Sequence, residues 1–147
     1  MEKLSTFDVI GPNMIGPSSS HTAGALKIAG LARQHAESFF TEIKQVTFIL
    51  YGSFAQTYSG HGTDRALLAG FLGFEATDYR IKDAYAHAEQ LGLKYEFILE
   101  FDIEPPHPNT VDIIIDISNF NIESQGTYCF KIRGLSIGGG AVEVMEI

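Results

Sequence analysis

The spacing of the apolar residues changes partway along the chain, and no other feature constrains the fold as much. Ala25, Ile28, Ala29, Ala32, Ala36 and Phe39 recur at helical spacing, as do Leu67, Leu68, Phe71 and Leu72, and then Ile81, Ala84, Tyr85, Ala88 and Leu91. From Leu93 the period shortens to two. Leu93, Tyr95, Phe97, Leu99 and Phe101 alternate with Lys94, Glu96 and Glu100, and Val111, Ile113, Ile115 and Ile117 alternate with Asp112 and Asp116. The spacing predicts helices over about 20–40, 63–73 and 81–91, the last stopping at Gly92. It predicts strands over 44–51, 93–101, 111–117, 128–132 and 141–147, the last after the Gly138-Gly139-Gly140 turn. Helices crowd the first half and antiparallel strands the second. The expected fold class is therefore α+β, a mixed or antiparallel sheet packed with helices.

A chain of 147 residues is long enough for one domain with a real core and short for two, so 1–147 reads as a single unit. The formal net charge of -8, with no cluster of Lys and Arg, removes the electrostatic footprint of a nucleic-acid binder. No apolar stretch approaches a bilayer span, and Met1-Glu2-Lys3-Leu4-Ser5 has none of the apolar run of a signal peptide. A cytoplasmic protein without membrane contact is expected. Cys129 is the single cysteine and falls in an alternating run, Thr127 to Arg133, so it reads as a strand side chain without a catalytic role. One cysteine supplies neither an intrachain disulfide nor the ligands of a zinc or iron–sulfur site.

Two stretches carry the chemistry. In Gly16-Pro17-Ser18-Ser19-Ser20-His21-Thr22 a proline-stiffened turn delivers three serines and a histidine to the start of the first helix. In Tyr58-Ser59-Gly60-His61-Gly62-Thr63-Asp64 a second histidine stands among small residues just before another helix, which Thr63 or Asp64 is expected to cap. Helix starts leave backbone N–H groups unpaired at the positive end of the helix dipole. Hydroxyls, an imidazole and free N–H groups together suit a carboxylate or another small anion. The strand ending at Tyr51, followed by Gly52 and the glycine-bearing loop, is the usual way to bring such donors to a small molecule. The repeated pattern points to one shared pocket. The stiff loop Glu104-Pro105-Pro106-His107-Pro108-Asn109-Thr110 offers His107 and Asn109 to the same pocket. His35 and His87 lie beside charged residues within helical runs and read as solvated. The small residues of the first helix (Ala23, Gly24, Ala25, Ala29, Gly30) allow close approach by the sheet or by another chain, making homo-oligomer contacts an expectation.

Phe7-Asp8-Val9-Ile10-Gly11-Pro12, the Gly-Pro-Ser-Ser-Ser-His-Thr-Ala-Gly segment from Gly16 to Gly24, Gly60-His61-Gly62-Thr63-Asp64 and His107-Pro108-Asn109 together resemble the beta chain of the bacterial iron–sulfur-dependent L-serine dehydratases. The resemblance runs over essentially the whole chain. It implies a fold related to the allosteric substrate-binding domain of some D-3-phosphoglycerate dehydrogenases. It also implies an alpha subunit as partner, with a 4Fe–4S cluster ligated by that subunit and not by this chain. Beta chains of this family usually continue into an ACT domain, whereas this sequence stops at Ile147. The implied reaction is conversion of L-serine to pyruvate and ammonia, inactive in this chain alone. The resemblance implies His21 and His61 as catalytic residues, the α-proton passing to one of them, since histidine suits a base near neutral pH. Ser18, Ser19, Ser20, Thr22, Gly62, Thr63, His107 and Asn109 are the implied substrate-binding residues. The alternative expectation is a non-catalytic module that binds small anions.

Overall fold

The computed structural model describes residues 3–6, 21–37, 42–58, 62–119 and 126–147, with backbone alone for 3–6, 119 and 126–127. Six strands form one sheet: β1 (Lys3–Thr6), β2 (Glu42–Tyr51), β3 (Lys94–Glu100), β4 (Thr110–Asn119), β5 (Gly126–Gly138) and β6 (Ala141–Glu146). Their spatial order is β1-β6-β5-β4-β2-β3. All neighbours are antiparallel except β2 and β3, which run parallel in a register from Gln45 opposite Lys94 to Tyr51 opposite Glu100. The expected mixed sheet is present. The expectation that every strand of the second half is antiparallel fails at β3. A parallel neighbour needs a long crossover, and the helices between Gly52 and Gln90 supply it.

Those helices are α1 (Ala23–Glu37), α2 (Gly52–Gln56), α3 (Thr63–Phe71) and α4 (Ala84–Gln90), the last preceded by a 3-10 turn over Tyr79–Asp83. The first helix opens at Ala23, with His21 and Thr22 in the turn ahead of it. Its expected end near Phe40 lies outside the described residues, as does the expected packing of Phe7 and Ile10. Neither Thr63 nor Asp64 caps α3. The cap position falls to Gly62 in the left-handed region (φ 76°), with no side-chain cap bond.

The alternation sends Val46, Phe48 and Leu50 of β2, Val111, Ile113, Ile115 and Ile117 of β4, Ile132 of β5, and Val142 and Val144 of β6 to the helix-covered face, where all are fully buried. Phe48 meets Phe71 of α3 edge-on, with ring centroids 6.2 Å apart. Truncating a fully buried phenylalanine such as this costs about 3–5 kcal/mol. The small residues of α1 are used inside the chain: Ala25, Ala29, Ala32 and Ala36 are all fully buried. A Cβ on Gly70 of α3 would lie 2.0 Å from the Leu26 carbonyl oxygen, and one on Gly134 of β5 would lie 2.2 Å from Ile28 Cγ2. The helix thus seats against α3 and the sheet at distances only glycine permits.

His35 and His87 are not solvated as expected. The ring of His35 packs edge-on to Phe130 (5.7 Å), with its Nε2 3.4 Å from a Glu146 carboxylate oxygen, and His87 packs edge-on to Phe74 (5.5 Å). Tertiary contacts, which flanking charges in sequence do not reveal, half-bury both. Cys129 is an exposed residue of β5. No described helix is long and apolar enough to cross a membrane.

Candidate functional site

Parallel β2 and β3 bring their carboxyl ends to the same end of the sheet, where open α/β sheets place their ligand crevices. At the end of β2 the chain turns at Gly52 (φ 51°), because a side chain there would meet the Pro108 carbonyl oxygen at 2.7 Å. That turn starts α2 and sets Ser53 at a crossing point. The Ser53 N–H donates to the Pro108 carbonyl (2.8 Å), and its own carbonyl accepts from the Thr57 N–H (2.9 Å) and hydroxyl (2.8 Å). The Ser53 Oγ lies 2.9 Å from His21 Nε2. The histidine ring also meets Phe54 edge-on at 5.9 Å. Ser53 therefore ties the turn before α1 to the proline loop.

The second helix start joins through α2 as well. Thr57 Oγ1 is 3.2 Å from Thr63 Oγ1, and Asp64 N–H donates to the Tyr58 carbonyl (3.1 Å). A Cβ on Gly62 would lie 3.9 Å from Thr22 Cγ2, so the two helix starts touch. Asp64, nearly buried, accepts from the Arg65 N–H (2.8 Å) and from the Tyr85 hydroxyl (2.5 Å). Burial first, then the bond to Asp64, pushes the Tyr85 phenol well above its ordinary value.

A cleft of about 470 Å³ opens here, lined by Gly52, Ser53, Gln56 and the loop from Glu104 to Pro108. His107 lines it, and its Nδ1 accepts from the Asn109 N–H (3.0 Å), which leaves Nε2 as the protonated nitrogen. Asn109 Nδ2 donates to the Ser136 carbonyl (3.3 Å), and the Ser136 N–H returns a bond to the Asn109 carbonyl (3.0 Å). Asn109 Oδ1 is buried and accepts no hydrogen bond among the described residues. A larger groove of about 580 Å³ runs between α1 and residues 72–76, but none of the expected site residues lines it.

Of the residues expected from sequence, the structure brings His21, Thr22, Gly62, Thr63, His107 and Asn109 to one end of the sheet. Thr22 and Thr63 are buried, so they brace the two helix starts and do not line the cleft. Ser18, Ser19, Ser20 and His61 lie outside the described residues. Sequence reasoning missed Ser53 and Thr57. Their signal was faint: a serine after a glycine at a strand end, and a hydroxyl one helical turn later. Among the described residues no three His, Cys, Asp or Glu side chains come together as a metal site. The exposed Cys129 does not fit as part of a cluster-binding set.

Hydroxyls at two helix starts, with the His21 imidazole at one of them, suit recognition of a carboxylate and acceptance of a proton. The model of the serine dehydratase beta chain family matches residues 5–146. A probable L-serine dehydratase beta chain of Bacillus subtilis (strain 168) is 46% identical over 147 residues, which is 100% of this chain and 61% of that protein. The L-serine dehydratase beta chain of Peptoniphilus asaccharolyticus is likewise 46% identical over 147 residues, all of this chain and 62% of that one. An L-serine dehydratase of Helicobacter pylori (strain ATCC 700392 / 26695) is 28% identical over 144 residues, covering 87% of this chain and 30% of the relative. The chain thus spans about 61% of the length of the beta chains it matches. With the match from residue 5 to residue 146, the chain belongs to the serine dehydratase beta-chain family.

Proposed function

We propose that this chain is the beta component of an L-serine ammonia-lyase, which converts L-serine to pyruvate and ammonia together with an alpha component. The observation that supports this best is His21 held on Ser53, which lines the same cleft as His107, in a member of this family. In this reading the described residues hold no 4Fe–4S cluster. That cofactor stays with the alpha component, and this chain's share is binding and proton handling. The substrate carboxylate meets hydroxyls and free N–H groups at the helix starts. Ser18, Ser19 and Ser20 belong to that donor set. A histidine, His21 or His61, takes the α-proton, and that proton is handed on to the departing β-hydroxyl, which leaves as water. The aminoacrylate that forms tautomerises to the imine, which water hydrolyses to pyruvate and ammonia. Ser53 orients the His21 ring, while Thr57 and Thr63 keep the second helix start in place beside it.

The test is anaerobic, serine-dependent pyruvate formation by the chain with its alpha component. The variant that removes the base is expected to lose about 10²–10⁴-fold in kcat, with complex formation intact. The variant that removes a binding histidine is expected to raise KM with kcat retained. Normal turnover by both His21→Ala and His61→Ala overturns the catalytic assignment and leaves a module that binds a small anion.

A further inference from the structure

The outer edge of β3 pairs with no strand among the described residues, and the chain there departs from ordinary edge composition. Ile98 (39% exposed), Leu99 (38%), Phe101 (64%) and Ile103 (57%) fall within six consecutive residues. Acidic side chains alternate with them: Glu96, Glu100, Asp102 and Glu104. Between Lys94 and Lys131 the sequence has no lysine or arginine. Edge strands are commonly protected from aggregation by charge, which accounts for the carboxylates. It does not account for four large exposed apolar side chains beside them, which cost solubility unless they are covered.

We propose that this edge, from Glu96 to Glu104, is a docking surface for a protein partner with an apolar centre and a rim of lysine and arginine. Phe101 is its anchor, the kind of large side chain that carries most of the binding energy at such surfaces. Charge selects the occupant. A second copy of the chain would set four carboxylates against four carboxylates, whereas a basic rim pairs with them and speeds encounter. Position selects it too. The strand continues into residues 104–108, which line the cleft with Ser53, so a partner seated on Phe101 and Ile103 reaches the cleft mouth. Naming that partner as the alpha component rests on the lyase reading above.

The test is the affinity of the full chain for the alpha component by calorimetry, with pyruvate formation followed in parallel. Phe101→Asp with Ile103→Asp is expected to weaken binding at least about tenfold at unchanged circular dichroism and melting temperature, since both positions are exposed. Wild-type binding is expected to weaken as salt rises. Glu96→Gln with Asp102→Asn, which disturbs no packing, is expected to weaken it at low salt and flatten that dependence. Wild-type affinity in both variants overturns the docking surface, while continued pyruvate formation by the complex leaves the lyase reading standing. Absence of both binding and turnover in wild type overturns the two together. Self-association of the isolated chain that is lost in the Phe101 and Ile103 variant assigns the edge to a second copy and also overturns the proposal.

Discussion

Two buried carboxylates divide the molecule into a part that holds shape and a part that presents chemistry. Asp112 of β4 is 1% exposed and receives a forked pair of bonds from Arg133 of β5, at 2.7 and 2.8 Å, with the Tyr51 hydroxyl of β2 at 2.8 Å. Three strands are thereby joined by one charge-assisted node. Asp64, 5% exposed, has no cation partner among the described residues. The Tyr85 hydroxyl, a backbone N–H and the positive end of α3 hold it. A carboxylate matched by a cation fixes register. One held by neutral donors at a helix start keeps that start in place with less in reserve.

Five substitutions test the contrast. The largest expected loss is for Arg133→Met, which strands the buried Asp112 charge and lowers stability by about 3–5 kcal/mol in chemical denaturation. At temperatures where the protein stays folded, its complex should turn over serine with unchanged kcat. A loss below about 1 kcal/mol breaks the comparison, because Asp112 then needs no cation. Next comes Asp64→Ala, with about 1–3 kcal/mol lost through the freed Tyr85 hydroxyl and Arg65 N–H. Here kcat should fall as well, and an unchanged kcat removes Asp64 from the presenting half.

Smaller effects sharpen the same contrast. Tyr85→Phe and Tyr51→Phe should each cost about 0.5–1.5 kcal/mol, with Tyr51→Phe the milder because Asp112 keeps both bonds from Arg133. Both phenols are raised above their ordinary value, chiefly by burial and then by the neighbouring carboxylate. Their stabilisation is therefore complete below pH 10 and is lost as pH rises beyond it toward the folded value. Melting temperatures taken from pH 8 to 11 should fall with pH in wild type and fall less steeply in each variant. Asp78 gives the smallest effect. The Arg80 guanidinium holds its carboxyl down at about 2, so its contribution is present above about pH 4 and disappears as pH falls toward 2. Asp78→Asn should lower the melting temperature slightly at pH 7 and match wild type at pH 2.

The strands were legible in the sequence because one face of the sheet is buried and the other is not, which writes a period of two into β3, β4 and β6. Direction was not legible: alternation reads the same in either sense, so the parallel pairing of β2 with β3 emerged only from the structure. Helix α2 escaped notice because five residues are too few to show a period. With it went Ser53, the residue that binds His21 to the proline loop. The cap of α3 was misread for a related reason. Thr63 and Asp64 have capping chemistry, but Thr57 and Tyr85 engage their side chains, and Gly62 alone adopts the left-handed backbone the turn requires. His21, Gly62 and His107 were legible as a group because each stands beside a glycine, a proline or a helix start.

The pairing of β1 with β6 has a consequence for synthesis. Lys3 finds its partner in Met145 and Thr6 in Glu143, so the first strand made waits for the sixth before it can join the sheet. On the ribosome, β5 and the helices can assemble while one margin of the sheet stays bare until residues past Glu146 have left the exit tunnel. During that interval the nascent chain exposes unpaired backbone from β5 and an unplaced amino-terminal segment, the kind of surface chaperones engage. Closing so distant a pair late should make sheet completion the slow step of folding.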